Sequence, residues 1–199
     1  MSQKLQDLTP DTRAVAERFI EEALAAGIQL RVVSGLRTCE QQASIYNQGR
    51  TTPGRIVSGA SGCRSWHVWG RAFDVLIVEP DGRLVTNGAD QRYDVLGDLA
   101  RSLGLIWGGT FSWGRDAGHF EYHPGLSIDD VCPDKSAEAC QEQVSRHNAA
   151  NTNVPPAISV VVSEEAKGTG IGVITIATSA FIGALVYQVV AKLMNPRQR

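Results

Sequence analysis

The stretch SWHVWGRAFDV, residues 65–75, decides how the chain is read. Its second half runs into an apolar strand, Ala72–Val78, in which Phe73, Val75 and Ile77 alternate. Asp74 sits in the middle of that strand. An aspartate there costs β-propensity and, once buried, a desolvation penalty that only a positive partner offsets. A dication is such a partner. His67, seven positions earlier across the Trp69-Gly70 turn, is placed to converge on the same ion.

Two ligands do not make a site, and WGRDAGHFEYH, residues 113–123, supplies a third. His119 lies on a short expected strand, His119–Tyr122. Asp116, three residues earlier in a glycine-containing turn, is placed near the ion without binding it and suits a general base. Three protein ligands, one open position and one carboxylate form a hydrolytic zinc site. A second trio is open: His119, Glu121 and His123 alternate and would share one strand face. That choice leaves His67 and Asp74 unexplained, and Pro124 curtails the strand. Glu121 stands as the reserve candidate for the base, or for a group supporting a ligand.

Around these motifs the local signals are those of a mixed chain. Thr9-Pro10-Asp11 starts a helix with Val15, Phe19 and Ala23 on one face and Gly27 as its stop. Ile28, Leu30 and Val32 alternate as a strand. Thr38-x-x-Gln41 fits a capping box opening a helix to about Gly49. Asp90 begins another helix, with Val95, Leu96, Leu99 and Leu103 before Gly104. Without a β-α-β rhythm or a glycine-rich phosphate loop, the order favours an α+β domain.

At 199 residues, 43% hydrophobic and 20% charged, the chain builds one domain with residues to spare. A net charge of −2 gives no basic footprint, so nucleic acid is not an expected partner. The N-terminus shows no apolar segment followed by a small-residue cleavage site, so no cleavable secretory signal is read there. The 24 residues from Gly168 to Ala191 carry no charge. As a helix they would span about 36 Å, more than a bilayer core, and Lys192, Arg197 and Arg199 follow as anchors. The expected organisation is a catalytic domain over 1–148, an Asn- and Pro-rich linker over 149–167, one transmembrane helix over 168–192 and a basic tail over 193–199. The expected localisation is therefore membrane-anchored, with the tail cytoplasmic and the domain facing outward. Cys39, Cys63, Cys132 and Cys140 lack metal spacing; they permit disulfides, Cys132 with Cys140 as a local staple, and equally permit four thiols.

Three separated motifs now carry a resemblance. SGLRTCEQQASIYNQGR, then S-x-H-x-x-G-x-A-x-D over Ser65–Asp74, then WGGTF with D-x-x-H-F-E over Asp116–Glu121, resemble the D-Ala-D-Ala metallopeptidase family across roughly residues 30–122. The QGRTTPG stretch and the D-x-x-H base are most similar to its L-alanyl-D-glutamate endopeptidases of the phage endolysin type. The resemblance implies a small mixed sheet with flanking helices around a zinc cleft, hedgehog-like in fold. It also implies Zn²⁺ as cofactor and peptidoglycan stem peptides as substrate. His67, Asp74 and His119 become the ligands, Asp116 the base, and Arg37 the donor to the scissile carbonyl, a task suited to a permanently charged planar group. Ser65, Trp66 and Trp107 are expected to contact substrate, with Trp113 a further candidate for the cleft wall. The alternatives are a D,D-carboxypeptidase, a non-catalytic peptidoglycan-binding membrane protein, and a lysis factor acting through its tail.

Overall fold

The computed structural model describes residues 3–133 and 136–152, and three short strands further on. The chain divides into two compact units, residues 1–152 and 153–199.

In the first unit α1 (Gln3–Gln6) and α2 (Pro10–Ala25) precede β1 (Leu30–Ser34). Pro10 opens α2, where its fixed φ suits the first turn and its missing N–H costs nothing. α3 (Cys39–Asn47) starts on the expected capping box: the Thr38 hydroxyl accepts from Gln41 N, and Gln41 Oε1 accepts from Thr38 N. Then come β2 (Ala72–Val78), β3 (Leu84–Val85), α4 (Arg92–Ser102), β4 (Ile106–Trp107), β5 (His119–Glu121), α5 (Ile128–Val131) and α6 (Ala137–Thr152). The sheet order is β1-β2-β5-β4, with β3 paired to β2. Every pair is antiparallel, which corrects the expected mixed sheet. A parallel pair needs a crossover returning in the same direction; here the excursion through α3 returns to β2 reversed.

β2 has two dissimilar faces. Phe73, Val75 and Ile77 are at most 1% exposed and pack with Phe19 of α2 and Phe120 of β5. The Phe19 and Phe120 rings lie 4.6 Å apart. The other face presents Asp74. On α4 the buried residues are Tyr93, Leu96, Gly97 and Ala100, whereas Val95, expected in the apolar stripe, is half exposed. The helix turns Gly97 inward because Trp107 occupies that space: a Cβ at Gly97 or at Gly109 would stand 2.2 Å from the indole.

Two disulfides join Cys39 to Cys63 and Cys132 to Cys140. The first ties the start of α3 to the turn before His67, a link the sequence reading did not pair. α6 continues four residues past the expected boundary at 148, through Ala149 and Ala150, strong helix formers. It contacts the Trp69 turn, where His147 Nε2 donates to Trp69 O at 3.1 Å.

In the second unit β6 (Val160–Ser163), β7 (Ile171–Ile176) and β8 (Gln188–Lys192) form an antiparallel sheet in the order β6-β7-β8. The expected transmembrane helix over 168–192 is therefore corrected wherever that span is described. The strands are rich in β-branched Ile, Val and Thr, which fit a pleated surface better than a helix. Residues 168–170 and 177–187 lie outside the described residues. Among the described residues no helix is long and apolar enough to cross a membrane.

Candidate metal centre and catalytic cleft

The register of β2 explains its aspartate. Asp74 pairs with Ser34 of β1 on one side and with His119 of β5 on the other. Its Oδ1 lies 2.8 Å from His119 Nδ1 and 3.2 Å from His67 Nε2, and its Oδ2 accepts from Arg37 Nη2 at 2.5 Å. Burial alone would raise the Asp74 pKa. The two histidines overcome this and hold the carboxyl far below the usual carboxylate range.

His67 reaches the same point from a compact turn. Val68 N donates to Ser65 O, Gly70 N to His67 O and Arg71 N to Trp66 O. Gly70 closes the turn at φ +65°, a left-handed conformation that disfavours a side chain. His67 Nδ1 donates to Gly35 O at 2.8 Å, which leaves Nε2 facing Asp74 and His119. One donor atom from each of His67, Asp74 and His119 lies within 4.8 Å of the others.

Glu121 fixes the other imidazole. Its two oxygens lie 2.9 Å from His119 Nε2 and 3.0 Å from His123 Nε2. Burial opposes its charge, but these two bonds bring its pKa down to about 2. With Nε2–H committed to Glu121, His119 turns Nδ1 toward Asp74. Burial lowers the His119 pKa; the bonds to Asp74 and Glu121 outweigh it and push the ring up to about 10. The trio His119, Glu121 and His123 is thus a hydrogen-bonded chain, and the metal-type cluster among the described residues is His67, Asp74 and His119. Two imidazole nitrogens and a carboxylate, each backed by a second partner, fit zinc.

Asp116 is set differently. Its backbone N donates to Gly108 O and its O accepts from His119 N, so the loop holds it beside the third donor. Among the described residues its carboxylate has no hydrogen-bond or ion-pair partner. Burial raises its pKa, reinforced by Asp74 and opposed by His119, His67 and Arg37.

These groups line one cleft of about 920 Å³, together with Ser65, Trp66 and Trp113. Ser65 and Trp66 are largely buried in its wall, Trp66 stacked on His123 at 4.1 Å. Trp107, expected to contact substrate, is not part of the lining: it is a core residue whose Nε1 donates to Ala117 O at 2.9 Å and so steadies the loop after Asp116. Arg37 gives Nε and Nη2 to Ser34 Oγ, its other Nη2 hydrogen to Asp74 and one Nη1 hydrogen to Gln42 Oε1. One Nη1 hydrogen is left for a ligand. The sequence reading missed Gln42, which is fully buried and also donates to Ser58 Oγ and Ala60 O. Its only signal was a polar residue one turn after Thr38, on the inward side of α3. It also missed Ser34 and the support that His123 gives Glu121.

Converging imidazole and carboxylate donors beside a free carboxylate have the make-up of a hydrolytic metal site. Residues 58–122 match the family described as D-alanyl-D-alanine carboxypeptidase. The chain is 32% identical over 126 residues to the peptidoglycan L-alanyl-D-glutamate endopeptidase CwlK of Bacillus subtilis (strain 168), covering 59% of this chain and 75% of that protein. It is 29% identical over 118 residues to the L-alanyl-D-glutamate peptidase of Listeria phage A118, covering 58% of this chain and 38% of that one. Two solved structures superpose more loosely. The vancomycin-resistance D,D-pentapeptidase VanY in complex with Zn(II) gives a TM-score of 0.44 at 16% identity, covering 62% of this chain and 82% of that chain. VanYB in complex with D-alanine-D-alanine gives 0.45 at 18%, covering 65% and 84%. The chain belongs to the D-Ala-D-Ala metallopeptidase family.

Proposed function

We propose that the protein is a zinc-dependent peptidoglycan peptidase that hydrolyses the L-Ala–D-Glu bond of the stem peptide. The observation that carries this is the meeting of His67, Asp74 and His119 in a cleft shared with the Asp116 carboxylate, which is unpaired among the described residues. The two curated relatives, both L-alanyl-D-glutamate peptidases by name, support the choice of bond.

His67 Nε2, Asp74 and His119 Nδ1 would hold the zinc. When bound, zinc polarises the scissile carbonyl and lowers the pKa of a water toward ~7. Asp116 takes the proton of the attacking water on its carboxylate and delivers it to the departing amine. Its lack of a hydrogen-bond or ion-pair partner among the described residues leaves the carboxylate open to do so. Arg37 donates its remaining Nη1 hydrogen to the carbonyl oxygen as charge develops there. Ser34 and Gln42 hold the guanidinium in place, which limits the reorganisation that step requires.

Mass analysis of muropeptides after digestion tests the reading. New N-terminal D-Glu ends are expected. Loss of terminal D-Ala instead would make the protein a D,D-carboxypeptidase. We further propose, from composition alone, that the apolar run 168–192 keeps the domain at a membrane facing the wall. Full-length protein is then expected in the membrane fraction after a carbonate wash, and its release would remove that part of the proposal.

A further inference from the structure

The cleft has an aromatic lip that the hydrolytic chemistry does not use. Asp116 N donates to Gly108 O and ties together the ends of a loop whose outer part carries Phe111 and Trp113. Phe111 lies 5.7 Å from the His119 ring, and Trp113 lies 5.8 Å from Phe111. Two ring-to-ring steps therefore lead from the metal donors to the rim. Trp113 is 54% exposed, whereas Trp66, the other tryptophan in the lining, is 9% exposed and already stacked on His123. Gly59 packs against the indole: a Cβ there would stand 3.3 Å from the ring. Arg115, two residues on, also lines the cleft and is held by Gly88 O and Asp94. The lining thus holds both an exposed indole and a guanidinium anchored by Gly88 O and Asp94, an apolar platform and hydrogen-bond donors in one cleft.

We propose that Trp113 is the platform of a sugar subsite, stacking against a pyranose ring of the glycan strand. This rests on the proposed L-Ala–D-Glu reaction. In that substrate the L-Ala nitrogen is acylated by the lactyl group of a muramic sugar, so the ring begins about six bonds from the scissile carbonyl, on the order of 7 Å. A peptide cut at that carbonyl brings the sugar to the rim of the cleft, within reach of the second ring step. The axial C–H groups of a pyranose form an apolar face that an indole covers, while its hydroxyl and acetamido oxygens accept from a guanidinium.

The test compares one stem peptide in two forms, attached to its muramic disaccharide and released from it. The full-length protein should show a KM about tenfold lower for the attached form. In Trp113→Ala the ratio of the two KM values should collapse to about one, and Trp113→Phe should restore part of it. Equal KM values in the unaltered protein, or a ratio unchanged in Trp113→Ala, would overturn the subsite. Titration with the peptide-free disaccharide separates this from failure of the proposed reaction. It should change the tryptophan emission of the unaltered protein and not that of Trp113→Phe, whichever bond is cut. No change in the unaltered protein overturns the subsite even where L-Ala–D-Glu cleavage is intact. Cleavage at another bond with the emission change retained overturns the reaction and leaves the subsite standing.

Discussion

Asp74 and Asp116 are two carboxylates at one cleft with opposite surroundings. Asp74 sits on a central strand, with an imidazole on either side of one oxygen and a guanidinium on the other. Asp116 sits on a loop that its backbone bonds to Gly108 and His119 hold in place, and among the described residues its side chain has no hydrogen-bond or ion-pair partner. Burial disfavours both charges. For Asp74 the partners win and the group stays ionised; for Asp116 burial wins and the affinity for a proton rises. The difference shows how one cleft keeps a permanent anion for a metal and a second carboxylate able to take a proton.

The strongest test of this contrast removes the anion. Asp74→Ala should lose bound zinc, measured by metal analysis of purified protein, and all wall cleavage with it; full occupancy would end the ligand assignment. Asp116→Asn should keep zinc and fold yet lose about 10²–10⁴-fold in rate, because the amide cannot accept a proton. Its pH profile carries the sign. Activity needs Asp116 ionised, and its raised pKa places the acid limb above the ordinary value of 3.8, a limb that Asp116→Asn should lack. Loss of zinc in this variant would turn Asp116 into a ligand.

Glu121→Gln is a smaller change, expected to weaken zinc binding about 10–100-fold by loosening the tautomer of His119. Should Glu121→Gln instead abolish turnover with zinc fully bound, while Asp116→Asn stays active, the base would be Glu121. The smallest effect is that of pH on metal affinity. In the metal-free chain His119 holds its second proton up to about pH 10, so zinc must displace it. Affinity should then fall about tenfold from pH 7 to pH 6, measured by competition with a chelator. A flat dependence would show that the proton is not on His119.

The parts of this arrangement legible in the sequence are those where local chemistry conflicts with its setting. Asp74 in an apolar strand and His119 at its short partner declared themselves, because each would be costly without the other. The Thr38 capping box and the bounds of β2 were likewise local signals. Gln42 was not legible, since a glutamine on a helix is ordinary until tertiary packing buries it. Trp107 failed for the converse reason. Hydrophobicity does not distinguish a cleft wall from a core, and only Gly97 and Gly109 make its place internal. Over residues 168–192, length and lack of charge argue for a helix, while the consecutive β-branched residues Val173–Ile176 of IGVITI favour the strand β7. The Cys39–Cys63 pair depended on how far the chain folds back, which spacing does not encode.

The indole of Trp107 lies between Gly97 on α4 and Gly109 on the following turn, with its N–H on Ala117 O. These three positions are sterically coupled. An alanine at 97 or 109 finds room only if the ring at 107 shrinks, and a smaller ring strands two glycines around a void and releases the carbonyl of Ala117. Drift at any one of the three is therefore penalised until a second change compensates, so single-step paths away from this combination are closed. The catalytic loop hangs from that combination. Relatives that have left it are expected to have replaced all three positions together and to hold the loop before His119 by another hydrogen-bond donor.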